Sequence, residues 1–477
     1  MVLGRATYEQ DAYKIRPLLM ERGRLTRASA ASATTIYINS LPRNVAGYGG
    51  FAVIDPWTTE CEVRLITNRA GKILTLASAL TYAHAKFDEV IFIDRPWINA
   101  LWFTAVGDDS TANATALARW GAQCAAVGKA VAYLPKGTYR YATGLDWSGA
   151  TYDGVSLVGD GPGSILKATA AMTMLTVDAG SAVNGFRYGA IKDILFEGNS
   201  LANIGIYLGK AILYRTDGVT VQTCTGTPGV GVVMDDTQNS GHSNLISRAN
   251  DIDLLMVNGA ANNSFVNCHF TAPNTYAIHM DIDSAYSGYD GVNGANQNAF
   301  YRCIVEPGTV TGMSIIMYIE YGHRNLFNST SFTRPATGNT TLVKITTTAG
   351  YNAFTDRCRF NTGGNAYEPL VYSEGDATLF ADCLFSSPPS AMDAIQVNDG
   401  YILVDKCHFD TDFVPVEVLS GTIPGRVWYF ANERSVGTTA NRPESNDVIG
   451  AMYYDTDLAK PIWKTATQWT DATGATV

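Results

Sequence analysis

The 477-residue chain is short of charge, of histidine and of long apolar runs, and each shortage removes a class of function. Charged residues make up 16% and the formal net charge is −10, so the broad basic surface that phosphate recognition needs is missing and no nucleic-acid partner is expected. No apolar run reaches the length that crosses a bilayer, so no membrane insertion is expected. No charged-plus-apolar leader follows Met1, and export by an ordinary signal peptide is not expected either. The 8 cysteines contain no Cys-x-x-Cys pair, which argues against both a disulfide scaffold and a zinc site. With only 6 histidines, no metal and no organic cofactor are expected. Gly159-Asp-Gly-Pro-Gly163 lacks the Lys-Ser/Thr and the helix start of a phosphate cradle and reads as a turn. What the chain does have is glycine, 45 residues of it, as tight turns between short strands require.

The second half carries a repeat in which an apolar residue is followed three places on by a small one. The copies are Phe265-Val-Asn-Cys268, Phe300-Tyr-Arg-Cys303, Phe327-Asn-Ser-Thr330, Phe354-Thr-Asp-Arg-Cys358 with one residue inserted, Phe380-Ala-Asp-Cys383 and Val404-Asp-Lys-Cys407. From Phe300 to Phe327 is 27 residues, from Phe327 to Phe354 is 27 and from Phe354 to Phe380 is 26. An asparagine stands two places before the phenylalanine at Asn263, Asn298, Asn325 and Asn352. A unit this short cannot bury its apolar face alone and must lie on the next copy. The runs between the turns are short and rich in β-branched or aromatic residues, such as Ser314-Ile-Ile-Met-Tyr-Ile319, rather than amphipathic over ten residues. The expected fold is therefore all-β, a parallel β-helix. One cysteine per coil at one register predicts an inward column of small apolar groups, and the asparagines predict a ladder of stacked amides at a turn.

Four zones follow. Residues 1–33 are charged and helix-compatible from Tyr8 through Arg27, then rich in alanine and serine, and read as an arm and linker. Residues 34–98 alternate as strands and read as a small β-domain. The β-helix is expected over 99–430 and a short C-terminal module over 431–477.

At the entrance to the coils stand Leu101-Trp-Phe-Thr-Ala-Val-Gly-Asp-Asp109, the helical segment from Ala114 to Ala126, Ala130-Val-Ala-Tyr-Leu-Pro-Lys-Gly-Thr-Tyr139 and Val155-Ser-Leu-Val-Gly-Asp-Gly-Pro-Gly-Ser-Ile-Leu166. In this order they resemble the opening of the pectate-lyase-like superfamily, in the form found in bacteriophage tailspikes. The helix would cover the open end of the coils, where unpaired strand edges recruit other chains. The tail segments Val436-Gly-Thr-Thr-Ala-Asn-Arg-Pro443, Ile449-Gly-Ala-Met-Tyr-Tyr-Asp-Thr456 and Lys460-Pro-Ile-Trp463 are similar to the module that closes many phage fibres. The resemblance implies that the β-helix is a right-handed parallel β-helix and that the protein is a virion-associated homotrimeric tailspike or tail fibre that binds host surface polysaccharide. It would attach to phage tail or baseplate proteins by its N-terminal region and be assembled in the host cytoplasm. Whether it cleaves the glycan is left open, and the alternative is a non-catalytic structural or receptor-binding fibre component.

Aligning the coils on the repeat brings Asp235-Asp236, Asp281 with Asp283, Glu320 and Ser373-Glu374 to the ends of equivalent strands. Carboxylates one coil apart would be about 5 Å apart, the separation of a retaining glycosidase pair. Asp281, Asp283 and Glu320 are thus the candidate catalytic acids. The coil holding them is longer than the others by a Gly-rich loop whose Tyr286 and Tyr289 could stack on sugar rings; with Tyr321, His323 and Arg324 they form the expected substrate-binding set. Polysaccharide hydrolysis is favoured over elimination, which would need a cation held by Asp281 and Asp283 with Arg324 as base.

Overall fold

The computed structural model describes residues 21–40, 50–179, 188–286, 293–307, 315–334, 340–361, 368–375, 377–386, 392–398, 401–410, 413–418, 426–430 and parts of 436–476. From Trp97 onward the chain winds through three parallel sheets of 13, 12 and 11 strands, here sheets A, B and C, so that each coil contributes one short strand to each. This is the parallel β-helix expected from the repeat. In the later coils the three-residue strands of A and B bury only their central residue, Phe265, Phe300, Phe327 and Phe354 in A and Phe270, Phe332, Phe360 and Phe385 in B, and Phe380 continues the column of A. Because each lies directly over its copy, the rings stack, with Phe265 and Phe300 centroids 4.5 Å apart and Phe354 and Phe380 5.0 Å apart. That is the spacing of neighbouring strands.

The thiols behave as the repeat predicts. All eight cysteines are free and buried. At the corner between A and B the residue preceding each thiol takes a left-handed conformation, as at Arg302, Asp382 and Lys406. The thiol then turns inward and donates to a carbonyl of the coil before it: Cys383 to Phe354 at 3.3 Å and Cys407 to Phe380 at 3.4 Å. Thr330 takes this place in its own coil, its hydroxyl donating to the Phe300 carbonyl at 3.3 Å. The residue inserted before Cys358 is absorbed here, where Asp356 and Arg357 both have positive φ.

The asparagine ladder runs at the entry to sheet A. Asn298 Oδ1 accepts from both the main-chain and side-chain N–H of Asn263 at 3.0 Å, and Asn325 does the same for Asn298, and Asn352 for Asn325. These amides are buried, and each satisfies the one before it.

The helix Ala114–Val127 closes the first coil with Leu117, Trp120 and Cys124, and the Trp120 indole donates to the Ile98 carbonyl at 2.6 Å. Ahead of it lies a six-stranded antiparallel sheet that contains the strands Phe51–Ile54, Glu62–Ala70, Ile73–Leu76 and Glu89–Ile93. The run through Arg27, expected to be helix-compatible, differs where it is described: Glu21–Arg24 is an edge strand paired with Glu89–Ile93, and Leu25 sits in the sheet's core. Its charges are those of an edge strand guarded against further pairing, a pattern easily confused with a helix face. Residues 1–20 lie outside the described residues. The C-terminal strands Met452–Asp455, Lys460–Lys464 and Trp469–Asp471 pair antiparallel. Among the described residues no helix is long and apolar enough to cross a membrane.

Candidate functional site

Sheet C is built differently from A and B. Most of its strands are longer, and the last four residues of Tyr276–Asp281 alternate: Ile278 and Met280 point inward while His279 and Asp281 are left on the outer face. The next strand, Ile315–Ile319, pairs in register with His279 opposite Tyr318 and Met280 opposite Ile319, which sets Glu320 beside Asp281. Three side chains from two coils therefore meet. His279 Nε2 lies 3.4 Å from Glu320 Oε2 and 3.9 Å from Asp281 Oδ2, and one donor atom from each of the three falls within 4.8 Å of the others. A divalent cation could be held by the same three atoms.

The surroundings differ from one group to the next. Asp281 is half-buried, and burial pushes its carboxyl above the usual range; the Ile282 N–H and His279 oppose that, while Glu320 and Asp283 add to it. His279 is pulled down by burial against the raising effect of the neighbouring carboxylates, so its neutral form is favoured. Glu320 is the most exposed of the three, its side chain 37% accessible against 13% for His279. Its main chain is clamped: the Glu320 carbonyl accepts from the hydroxyls of Thr346, at 2.6 Å, and Thr348.

Aromatic rings flank the acids along the helix axis. His279 stacks on Tyr318 with centroids 5.2 Å apart and planes 8° from parallel, and Tyr276 lies 4.9 Å from His279. One coil further, Lys344 Nζ sits 5.6 Å from the Tyr318 ring and 5.7 Å from the Tyr372 ring. The Tyr372 hydroxyl donates to Glu374 at 3.1 Å, and so does the Asn398 amide. The outer face of sheet C thus presents imidazole, phenol, ammonium and phenol in consecutive coils.

The residues expected from sequence are distributed as follows. Asp281 and Glu320 are brought together. Asp283 is not; its carboxylate accepts the Ala285 N–H at 2.8 Å and its backbone exchanges two 2.9 Å hydrogen bonds with the Asn258 amide, so it shapes the turn. Tyr286 stacks on Tyr207 at 6.0 Å, over the apolar patch of Ile204, Val230, Val233 and Leu255, rather than on the acids. Tyr289 lies outside the described residues. Tyr321 follows Glu320 and its N–H donates to the Met280 carbonyl at 3.1 Å. His323 and Arg324 are exposed beyond the corner, where Gly322–His323 pairs with Ala295–Asn296 in a separate two-stranded ladder. Among the described residues neither forms an ion pair with Asp281, Asp283 or Glu320. Asp235 lies two coils away, fully buried, accepting from the Tyr207 hydroxyl at 2.5 Å and the Asn258 amide at 2.9 Å. The residues that sequence inspection missed are His279, Tyr276, Tyr318 and Lys344. The signal for His279 was available, since it stands two places before Asp281 on a strand and shares its face.

Residues 97–338 match the family model described as rhamnogalacturonase A/epimerase, pectate lyase-like. Among solved structures the chain is similar to ORF18 of Geobacillus virus E2, at 16% identity over 80% of this chain and 74% of that one, with a TM-score of 0.53. It is also similar to the A-module of the mannuronan C-5 epimerase AlgE4 of Azotobacter vinelandii, at 14% identity over 70% of this chain and 100% of that one, with a TM-score of 0.53. No curated protein sequence matches.

Proposed function

Since the chain belongs to the rhamnogalacturonase A/epimerase, pectate lyase-like family, we propose that the outer face of sheet C binds a polysaccharide along the helix axis and hydrolyses it between Asp281 and Glu320. The observation that carries this is the meeting of His279, Asp281 and Glu320 on an open face lined by Tyr276 and Tyr318. The two carboxylates present oxygens within 4.8 Å, too close for the intervening water of an inverting pair and close to the separation of a retaining one. Asp281, whose carboxyl burial pushes above the usual range, gives its proton to the glycosidic oxygen as that bond breaks. Glu320 attacks the anomeric carbon and forms a glycosyl ester. Water, losing its proton to the Asp281 carboxylate, then displaces Glu320 and releases the sugar. The tyrosine faces supply apolar contact for sugar rings.

A second reaction has an observation of its own in its favour. Lys344 between two tyrosines suits a sugar carboxylate, and a neutral His279 two coils away on the same face suits removal of a carbon-bound proton from a glycan lying along it. Incubating the protein with acidic and neutral bacterial surface polysaccharides, and following chain length together with absorbance of the unsaturated uronate, separates the two. Shortening without new absorbance is the expected result; shortening with it would replace hydrolysis by elimination, and binding without shortening would leave a receptor-binding fibre.

The biological setting we propose is a phage tailspike or tail fibre, a homotrimer carried on the virion by its N-terminal region. The segments 101–166 and 436–463 support it by their resemblance to such proteins. Light scattering should give three chain masses in solution; a single mass would remove the trimer.

A further inference from the structure

A second cluster lies far from sheet C, in the N-terminal sheet. Asp55 follows the strand Phe51–Ile54, and its N–H donates to the Glu89 carbonyl at 2.8 Å, which brings it beside Asp88. His84 sits in the segment before Glu89–Ile93, held by reciprocal 2.8 Å backbone hydrogen bonds with Ser29. Its ring is fully buried, with a side-chain exposure of 0%.

The tautomer of that ring follows from its partners. Glu62 Oε1 takes the Tyr82 N–H at 2.9 Å, and Glu62 Oε2 takes the Thr81 N–H at 2.8 Å and the Arg64 guanidinium. With two main-chain donors and an arginine aimed at it, this carboxylate accepts only. His84 Nε2, 2.9 Å from Glu62 Oε1, must therefore donate. That leaves Nδ1 as the ring's lone pair, and Nδ1 is buried with no hydrogen-bond partner. It faces carboxylates: Asp88 Oδ2 is 3.8 Å away, and Asp55, His84 and Asp88 each offer a donor atom within 4.8 Å of the others.

A buried lone pair opposite two carboxylates is unfavourable unless something positive lies between them. At 3.8 Å the Asp88 oxygen lies beyond hydrogen-bond distance of Nδ1. An ion about 2.0–2.2 Å from each donor fits such a gap after a modest closing of the side chains. We propose that Asp55 and Asp88, through their carboxylates, and His84, through Nδ1, bind a divalent first-row transition ion of the zinc class, with Glu62 orienting the imidazole from behind. One imidazole and two carboxylates are a donor set for such an ion, and a carboxylate on the far ring nitrogen is its usual support. The ion would tie the segment around His84 to the end of the strand Phe51–Ile54. It makes no contact with the sheet C site.

The full chain, stripped with a chelator and dialysed against Zn²⁺, tests this together with Asp55→Asn and Asp88→Asn, which keep side-chain shape. Wild type should hold one more zinc per chain than either variant, and zinc should raise its melting temperature but not theirs. Glu320→Gln should keep the extra ion, which separates it from any bound at His279. In nitrogen-resolved NMR of the wild type, zinc should shift His84 Nδ1 and leave Nε2 protonated; this readout stands even if a variant misfolds. Equal zinc content in wild type and variants would overturn the proposal, as would a His84 ring protonated on both nitrogens at neutral pH and unmoved by zinc.

Discussion

Asp281 and Asp253 are both carboxylic acids pushed upward by burial, yet they sit on opposite faces of the same sheet and have opposite consequences. Asp281 points outward, and its proton is available to a bound glycan. An acid catalyst acts only while protonated, so kcat/KM should fall as pH rises through its elevated pKa, and that limb should lie above the ordinary carboxylate range. Asp281→Asn should remove the limb together with at least about two orders of magnitude of rate; a pH–rate profile of both proteins checks it. Asp253 is buried in the coil interior, with Oδ1 bonded to the Asn250 amide at 2.8 Å and Oδ2 without a partner. Its folded pKa is raised above the unfolded value, so the folded state binds the extra proton. Stability from this group is therefore present in acid and lost as pH rises from about 4 toward the folded pKa, by about 1.4 kcal/mol per pH unit. Denaturant midpoints of wild type and Asp253→Asn should diverge in that window, the variant gaining on the wild type as pH increases; parallel curves would refute the assignment.

Among the elements, the corners between sheets hold the coil together as much as the sheets do. Asn325→Ala would leave the Asn298 main-chain and side-chain N–H groups without their acceptor and the Ala295 carbonyl without its donor, all buried. A loss of about 2–4 kcal/mol is expected, measurable by chemical denaturation. Thr330→Cys, by contrast, restores the thiol of the other coils where a hydroxyl already makes the same contact, and should change stability by less than about 1 kcal/mol. These corners were legible in the sequence because the chain must pass the same inward turn with the same residues in each coil: Asn, Phe and Cys recur in fixed register. The outer face was less legible. His279, Tyr318, Lys344 and Tyr372 are neighbours only after loops of unequal length have been spanned, and no residue type recurs there in adjacent coils to reveal the register. Closeness along the chain misled in the other direction, since Arg324 is four places from Glu320 but has turned the corner out of sheet C.

For the whole molecule, the solenoid explains why a site needs so few special residues. Inward positions are committed to stacking, and every coil presents a few outward side chains at a spacing set by strand pairing. Chemistry arises where adjacent coils happen to carry complementary groups, and Asp281 beside Glu320 with His279 between them is such a place. We propose that this place acts on a polysaccharide. The most direct test is to compare wild type and Glu320→Gln on the same bacterial surface polysaccharide, following both binding and chain length. Wild type should shorten the chains, while the variant should bind them with similar affinity and be slower by at least about three orders of magnitude. Equal cleavage by both proteins would contradict it and move the chemistry elsewhere on the molecule.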